Sequence, residues 1–198
     1  MLGGEYDWPR LPDEQPIRRA LDIGANVGAF ACWIYKRTGA FIDCYEPHPG
    51  AAAVCALNAP PGCVVHEVAV TPREGPTKLY VGSDWSGTSL DPTLNPRSGE
   101  VIEVPALHPS KLPHADLIKV SAEGHELEVL TDYPFLSDVA VCLFAWRREK
   151  DRPMLEEICR AADLRLFKST HVAVDVGLQV WVRSRALNKG GRYVMPVP

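Results

Sequence analysis

The stretch DIGANVG, residues 22–28, places a carboxylate, an asparagine and two glycines in one short segment. Gly24 and Gly28 let the backbone approach a ligand without an intervening Cβ, and Asn26 tolerates the left-handed conformation that such a turn often needs. Asp22 follows an apolar run, where an unpaired carboxylate is costly to bury, so we expect it to meet a cation or several N–H groups. The segment predicts a ligand-binding turn, with a tight strand-to-helix connection as the alternative.

A second carboxylate, Glu46, ends the next apolar run. Its spacing from the glycine turn is roughly that at which an acidic side chain accepts hydrogen bonds from ribose hydroxyls. The alternative role is a favourable charge at the N-terminus of the following helix. Together with Asp22 and the glycine turn, Glu46 favours an adenosine-type ligand.

The residues of the turn narrow the choice of adenosine ligand. A dinucleotide fingerprint, G-x-G-x-x-G, needs glycines where this chain has Asn26 and Ala29. Asp22 would repel a pyrophosphate, but it suits a ligand with a positive amino group, such as S-adenosylmethionine. A dinucleotide-dependent oxidoreductase is therefore the less favoured alternative.

An alternation of strands and helices must position these residues. Apolar periodicity predicts strands at 18–24, 41–46, 63–70, 77–82, 100–107, 116–120, 139–144, 164–168 and 177–183, and helices at 27–38, 50–58, 123–130 and 153–162. This alternation predicts a parallel sheet with right-handed crossovers, whose strands end at the edge where ligands bind. Too few residues separate the last two strands for a crossover helix, so we expect an antiparallel ending.

Length and composition indicate one globular domain, since the chain has 198 residues, of which 46% are hydrophobic and 23% charged. We place this domain at residues 17–185, between an irregular leader, residues 1–16, and a tail, residues 186–198. The net charge of −4 argues against nucleic acid as the default partner. No run approaches the roughly 20 apolar residues of a membrane span. Six cysteines without a CxxC pair fit a reduced, cytoplasmic setting.

A long loop at residues 83–99 interrupts the regular pattern and is rich in Gly, Pro, Ser and Asp. A loop of this length in a compact domain is typically a binding element or disordered. If the ligand is S-adenosylmethionine, a donor of methyl groups, we expect Trp85 to cover the molecule that accepts the methyl group. We expect the hydroxyls of Thr88 and Ser89 to contact this acceptor or the donor. The alternatives are packing of Trp85 against the sheet edge and turn formation by the two hydroxyl residues.

Several segments of the chain resemble the motifs of a known family. DIGANVG resembles the first motif of class I S-adenosylmethionine-dependent methyltransferases, in the form D-x-G-x-N-x-G. Further segments are similar to FkbM-type methyltransferases: YEPHP at 45–49, LNA at 57–59, TSL at 88–90 and LIKVSAEGHELEVL at 117–130. In the last segment Lys119, Glu123, Gly124 and Glu126 match the family pattern K-x-D-x-E-G-x-E. The resemblance spans about residues 20 to 170.

The resemblance implies a doubly wound, seven-stranded, mostly parallel sheet with an antiparallel last strand. It implies methyl transfer from S-adenosyl-L-methionine to a hydroxyl of a small-molecule, sugar (glycan) or lipid-like acceptor. The residues expected to hold the donor are Asp22, Gly24, Ala25, Asn26, Gly28, Glu46, Pro47, Glu67, Ala69 and Ser121.

Two departures from the family pattern remove acidic groups. Ser121 stands where the family has aspartate, and the segment FAW, residues 144–146, replaces a region that often carries a glutamate. An S-adenosylmethionine-binding or scaffold protein with impaired catalysis is therefore an alternative. The following run WRREKDR, residues 146–152, mixes charges and predicts a solvated segment.

Glu123 is the first candidate for a base, because a Glu-Gly at a strand end projects into the cleft and a hydroxyl acceptor must lose its proton. The alternative is a carboxylate at a helix N-terminus. His125 and Lys119 are further candidates, with a surface histidine and a structural ion pair as their alternatives. The histidines lack a metal spacing such as H-x-x-x-H, so we predict no metal site.

Overall fold

A seven-stranded sheet forms the centre of the part of the chain that the structure describes. The structure, a computed structural model, describes residues 6–8, 16–82, 87–94, 99–173 and 176–183. Across the sheet the strands lie in the order Leu164–Ala173 (β10), Val176–Arg183 (β11), Val141–Trp146 (β9), Leu117–Val120 (β8), Arg19–Ile23 (β1), Phe41–Tyr45 (β2) and Cys63–His66 (β3). Strand β11 is antiparallel to both neighbours, and the other adjacent pairs are parallel. The predicted α/β class with an antiparallel last strand is confirmed.

The helices of the described residues are Ala29–Thr38 (α1), Pro49–Asn58 (α2), Glu126–Asp132 (α3) and Arg152–Ala161 (α4). Helix α2 starts where the His48 side chain accepts a backbone hydrogen bond and Pro49 enters the first turn, and α1 ends at Gly39 with a φ of 68°. Helices α1 and α3 begin later than predicted. Gly28 and Gly124, which precede them, have φ values of 81° and 104°, and a right-handed helix cannot include such residues.

The predictions of one strand over residues 63–70 and of one strand over residues 100–107 are both wrong, because each segment forms two strands that belong to different sheets. The chain leaves the sheet after β3, where the Val68 N–H bonds to the His66 carbonyl at 3.0 Å. Ala69–Val70 (β4) then pairs with Ala106–Leu107 (β7), and Thr77–Val81 (β5) pairs with Glu100–Val104 (β6). The middle of the chain thus forms two small two-stranded sheets instead of extending the central one.

Apolar side chains cover both faces of the central sheet. On one face Ile118 packs in a cluster with Leu155 of α4, and on the other Ile42 packs in a cluster with Ile34 of α1. Full burial of a side chain of this size stabilises the fold by about 1.5–3 kcal/mol. Burial on both faces is typical of a parallel sheet whose crossovers are helices. None of the helices in the described residues has the length and apolar character needed to cross a membrane.

Part of the leader packs against α1. The Tyr6 ring lies 5.2 Å from that of Phe30, and the Trp8 ring lies 5.3 Å from that of Trp33. The Arg37 guanidinium sits 4.6 Å above the Trp8 ring, which is almost fully buried. Aromatic packing and a cation–π contact therefore anchor residues 6–8 at the edge of the domain. Residues 1–5 and 9–15 of the leader and the whole tail, 186–198, lie outside the described residues.

Candidate functional site

The glycine turn between β1 and α1 packs between the ends of β2 and β8, the two strands that flank β1. The Gly24 N–H bonds to the Tyr45 carbonyl at 2.9 Å, and a Cβ on Gly24 would lie 2.0 Å from the Ser121 carbonyl oxygen. Gly24 and Asn26 have φ values of 73° and 49°, so the left-handed conformation expected at Asn26 is present. Only glycine fits at position 24, because any side chain there would overlap the backbone at the end of β8.

Asp22 and Lys119 form a buried ion pair behind this turn. They face each other in the register of β1 and β8, and Lys119 Nζ lies 2.8 Å from Asp22 Oδ1. Lys119 Nζ also donates a 2.7 Å hydrogen bond to the Gly24 carbonyl. Burial alone would lower the pKa of Lys119, but the charge of Asp22 and its hydrogen bond outweigh burial and raise it. Lys119 is therefore the cation that Asp22 meets, and the pair holds the turn in place.

Glu46 lies at the end of β2, directly beside the turn. Its Oε2 accepts a 2.8 Å hydrogen bond from the Asn26 N–H, and its Oε1 accepts a 2.9 Å bond from the His48 N–H. Burial raises the pKa of the Glu46 carboxyl, while the two backbone hydrogen bonds oppose that rise. Each carboxylate oxygen has two lone pairs, so each keeps capacity for one more hydrogen bond, such as one from a ligand hydroxyl.

A cavity of about 260 Å³ opens at the carboxyl ends of β1, β2 and β8. The predicted residues that line this cavity are Gly24, Ala25, Asn26, Glu46, Pro47, Ala69, Thr88, Ser89, Lys119, Ser121 and Glu123. Its wall also includes apolar and aromatic side chains, among them Ile23, Phe30, Tyr45, Val70, Leu79 and Leu90, together with Tyr6 from the leader. A concave site that combines apolar surface with converging polar groups is typical of small-molecule binding.

Glu123 lines the same cavity from a strained backbone position. Its φ is 48°, and Gly124 follows with a φ of 104°. The Glu123 carboxylate is ion-paired with Arg147 Nη2. Burial raises the pKa of Glu123, and Arg147 acts in the opposite direction. The cavity therefore holds a carboxylate that binds protons more readily than an exposed one, next to a guanidinium.

Hydrogen bonds fix the described part of the 83–99 loop over the cavity. Ser89 Oγ donates to the Glu123 carbonyl at 2.7 Å and accepts from the Asp91 N–H at 2.9 Å, while backbone bonds pair Ser89 with Tyr80. Thr88 Oγ1 accepts a 3.0 Å bond from the Gly82 N–H. Both hydroxyls thus stabilise the loop, which was the alternative interpretation, and both residues also line the cavity.

Three solved structures share this architecture. A precorrin-6y C5,15-methyltransferase from Geobacter metallireducens matches 86% of this chain and 81% of its own at 10% identity, with a TM-score of 0.51. A Pyrococcus horikoshii protein described as a candidate RNA methyltransferase matches 86% and 76% at 9% identity, with a TM-score of 0.50. A candidate tRNA (m1A22) methyltransferase from Streptococcus pneumoniae matches 85% and 64% at 10% identity, also with a TM-score of 0.50.

The chain has a Rossmann-like methyltransferase fold. No family model matches it, and no curated protein does. With about one residue in ten identical, what the chain shares with the solved structures is the arrangement of the sheet and helices.

Several predicted site residues lie away from the cavity of this methyltransferase fold. Asp22 and Gly28 sit behind its wall, where Asp22 is fully buried and Gly28 packs against α2. Glu67 is exposed and does not line the cavity, because the chain turns away from the sheet directly after β3. His125 precedes α3 and does not line the cavity either, and burial lowers its pKa. Trp85 lies outside the described residues.

Arg147 and Tyr6 line the cavity and were missed. Arg147 belongs to the run interpreted as solvated, yet Trp146 beside it is buried and Arg147 pairs with Glu123. That interpretation is wrong at these two positions because β9 extends to Trp146, two residues further than predicted, and carries the arginine to the cavity edge. The signal available in the sequence was a cation directly after the apolar run that forms β9.

A third carboxyl group, Glu126, is buried close to the cavity. It accepts hydrogen bonds from the Gly124 N–H at 3.0 Å and 3.3 Å, and burial raises its pKa to about 8. The Glu126 carboxylate thus stabilises the strained Glu123–Gly124 turn by accepting the Gly124 N–H. Within the described residues, no cluster of three or more His, Cys, Asp or Glu side chains is arranged to hold a metal ion.

Proposed function

We propose that the chain binds S-adenosylmethionine in the cavity beside the glycine turn, named the donor cavity, and is an O-methyltransferase acting on a hydroxyl of a small-molecule, sugar or lipid-like acceptor. The observation that carries this proposal is Glu46, whose carboxylate is oriented by two backbone N–H groups at the wall of this cavity. A carboxylate held in this way can accept hydrogen bonds from ribose hydroxyls.

The charges around the cavity support a positively charged ligand. Glu46, Glu123 and Asp22 contribute three carboxylates in the wall or directly behind it, against the two cations Lys119 and Arg147. One net negative charge remains, which favours the positively charged sulfur and amino group of this donor. When bound, S-adenosylmethionine supplies an activated methyl group, and the chain's own residues position the reactants and accept the proton.

Glu123 is the residue we assign as base. The acceptor oxygen forms a bond to the methyl carbon, the carbon–sulfur bond breaks with its electron pair left on sulfur, and the hydroxyl proton passes to the Glu123 carboxylate. Because burial raises the pKa of Glu123, its carboxylate is a stronger base than an exposed one. Holding acceptor and donor at near-attack distance lowers the barrier further.

We also infer a relationship to the FkbM-type methyltransferases. It is supported by Lys119, Glu123, Gly124 and Glu126, the four residues that match the family pattern. In the structure Lys119 bonds to the Gly24 carbonyl in the turn, Glu123 lines the cavity and Glu126 bonds to the Gly124 N–H. Ser121, which replaces the family aspartate, also lines the cavity.

A donor-binding protein without transferase activity is the second candidate function. It is favoured by the ion pairs of the two strongest candidate catalytic groups, because Arg147 holds Glu123 and Asp22 holds Lys119. This candidate predicts the same donor affinity but no methylated product with any acceptor in a screen of hydroxylated metabolites.

Calorimetric titration with S-adenosylmethionine and S-adenosylhomocysteine tests the donor site. Both ligands should bind the wild-type chain, and Glu46→Gln should weaken binding about tenfold or more, because a charged hydrogen bond contributes about 1.5–3 kcal/mol. The matched control is Glu67→Gln, an exposed glutamate outside the cavity, which should bind as the wild type does. Failure of both ligands to bind at sub-millimolar concentration would contradict the proposed function.

A further inference from the structure

A second cavity, of about 200 Å³, lies beside the donor cavity. Both cavities are lined by Tyr6, Ser121, Glu123 and Arg147, so these residues stand at the boundary between them. The rest of the second wall comes from the end of β9 and from the β10–β11 hairpin: Ala145, Thr170, Val172, Val176, Gly177 and Leu178. A molecule in the second cavity would therefore touch Glu123 from the side opposite the donor.

The wall contributed by the hairpin is mainly apolar, with Thr170 as its polar residue, and lies close to β9. Gly177 faces Trp146 in the sheet register, and a Cβ on Gly177 would lie 2.3 Å from the Trp146 ring. Val172, Val176 and Leu178 supply apolar contact surface. Among the residues lining the second cavity, Arg147 carries the positive charge and Glu123 the negative one. The cavity therefore suits a small molecule with an apolar body and one charged end.

Arg147 has hydrogen-bonding capacity left over from its ion pair. Its Nη2 is bound to Glu123, and its side chain is still 30% exposed, so a molecule in the cavity can reach the guanidinium. A guanidinium presents its donors as a planar fork that matches a carboxylate. The neighbouring Arg148 differs, because its guanidinium is ion-paired with both Asp91 and Asp151. Arg147 is thus the arginine positioned to take an added anion.

We propose that the second cavity binds the methyl acceptor and that this acceptor is a hydroxylated carboxylic acid, whose carboxylate binds Arg147. The proposal rests on the proposed function and adds the chemical class of the acceptor. The incoming carboxylate competes with Glu123 for the guanidinium. Glu123 is thereby released to accept the proton of the acceptor hydroxyl, and the methyl group goes to that oxygen. Without an acceptor, Arg147 keeps the base engaged.

Calorimetric titration with benzoate tests the anion site, with the donor cavity filled by S-adenosylhomocysteine. Benzoate combines a carboxylate with an apolar ring, and benzamide is its neutral counterpart of the same shape. We expect benzoate to bind at least tenfold more tightly than benzamide, and Arg147→Gln to weaken benzoate at least tenfold. Equal affinity of the two probes, unchanged affinity in the variant, or no benzoate binding at millimolar concentration would overturn the proposal. Preferential binding of phenyl phosphate over benzoate would overturn the assignment of a carboxylate.

Two further variants control this experiment. Arg160→Gln removes an arginine that is also ion-paired with a glutamate, 2.7 Å from Glu156, but lies away from both cavities, so benzoate affinity should not change. Arg147→Lys keeps the charge without the planar fork and should bind benzoate with intermediate affinity. A cooperative thermal unfolding transition in each variant verifies that the protein is folded.

The release of Glu123 from Arg147 can be measured separately, as proton uptake. Arg147 lowers the pKa of Glu123, so withdrawal of Arg147 should raise this pKa and cause proton uptake on benzoate binding. Titrations in buffers with different ionisation enthalpies measure that uptake, which Glu123→Gln should abolish. Uptake that persists in the variant, or is missing from the wild type, would overturn the release of the base.

The donor and acceptor proposals fail separately. Arg147-dependent benzoate binding without any S-adenosylhomocysteine binding would refute the donor site and leave the anion site standing. Binding of S-adenosylhomocysteine alone would support the proposed function and overturn the acceptor class.

Discussion

Removing the charge of Lys119 should destabilise the fold more than any surface charge does. Asp22 is fully buried and Lys119 is 6% exposed, with 2.8 Å between their charged atoms. At this separation and an effective dielectric of about 20, the attraction is roughly 6 kcal/mol, and desolvation offsets part of it. Lys119→Met leaves the buried carboxylate without its cation, so we expect a loss of about 3–5 kcal/mol in the free energy of unfolding.

Urea and thermal unfolding measure this loss. For a chain of this size about 2–4 °C of melting temperature corresponds to each kcal/mol, which predicts a decrease of roughly 6 to 20 °C. The matched control is Lys111→Met, because Lys111 lies 2.7 Å from Glu74 in a pair that is about half exposed. Because solvent screens such a surface pair, Lys111→Met should unfold close to the wild type.

A double variant separates the charge effect from the loss of the lysine side chain. Asp22→Asn combined with Lys119→Met removes both charges and should recover much of the stability lost in the single variant. If the free energy of unfolding of Lys119→Met lies within about 1 kcal/mol of the wild-type value, the ion pair is not a structural element of the turn. The inference that Asp22 is satisfied by the protein instead of by a ligand would then be refuted.

Three further predictions concern the turn, the carboxyl group below it and the base. Gly24→Ala should lower the free energy of unfolding in urea by on the order of 3 kcal/mol or more, because its Cβ would lie 2.0 Å from the Ser121 carbonyl oxygen. The control is Gly39→Ala, which has a similar φ but open space around the Cβ and should lower it by about 1–2 kcal/mol. Burial raises the Glu126 pKa from 4.5 to about 8, so between these pH values the folded state holds a proton that the unfolded state releases. The free energy of unfolding should therefore fall by up to about 1.4 kcal/mol per pH unit as pH rises through this window. If Glu126→Gln shows the same slope, another group causes the pH dependence. Methyl transfer should increase with pH as Glu123 ionises, with a midpoint above the usual value for a glutamate because burial raises its pKa. Glu123→Gln should lower kcat about 10²–10⁴-fold, and an unaltered pH–rate profile in that variant would remove Glu123 from the mechanism.

Local patterns in the sequence predicted the central sheet well. Strand β1, the antiparallel pairing of β10 with β11 and the helix over α4 follow from apolar runs and from the length of the connections between them, although β10 continues to Ala173 where the prediction ended it at residue 168. The errors lie where one residue changes the direction of the backbone. Gly28 and Gly124 have positive φ values and delay the helices that follow, and the turn after His66 ends the strand that was predicted to continue to residue 70. These conformations depend on what the backbone packs against, which periodicity does not report.

The candidate site was predicted in part. Glu46 and Glu123 were identified from their positions at strand ends, and both line the donor cavity. The partner of Asp22 was left open in the sequence, because Lys119 is distant along the chain and becomes its neighbour only through the register of β1 and β8. Arg147 was overlooked because its neighbours along the chain suggest a solvated run, whereas its neighbours in space form a cavity.

By itself, the sequence determined the α/β class, the antiparallel ending and the glycine turn, since these depend on residue types that restrict the backbone within a few positions. Only the tertiary structure decided which charges meet. It places Asp22 against Lys119 and Glu123 against Arg147, and it puts a second cavity on the far side of that second pair. The physical reason is that an ion pair depends on distance and burial, both of which arise only when strands far apart in the chain become neighbours in one sheet.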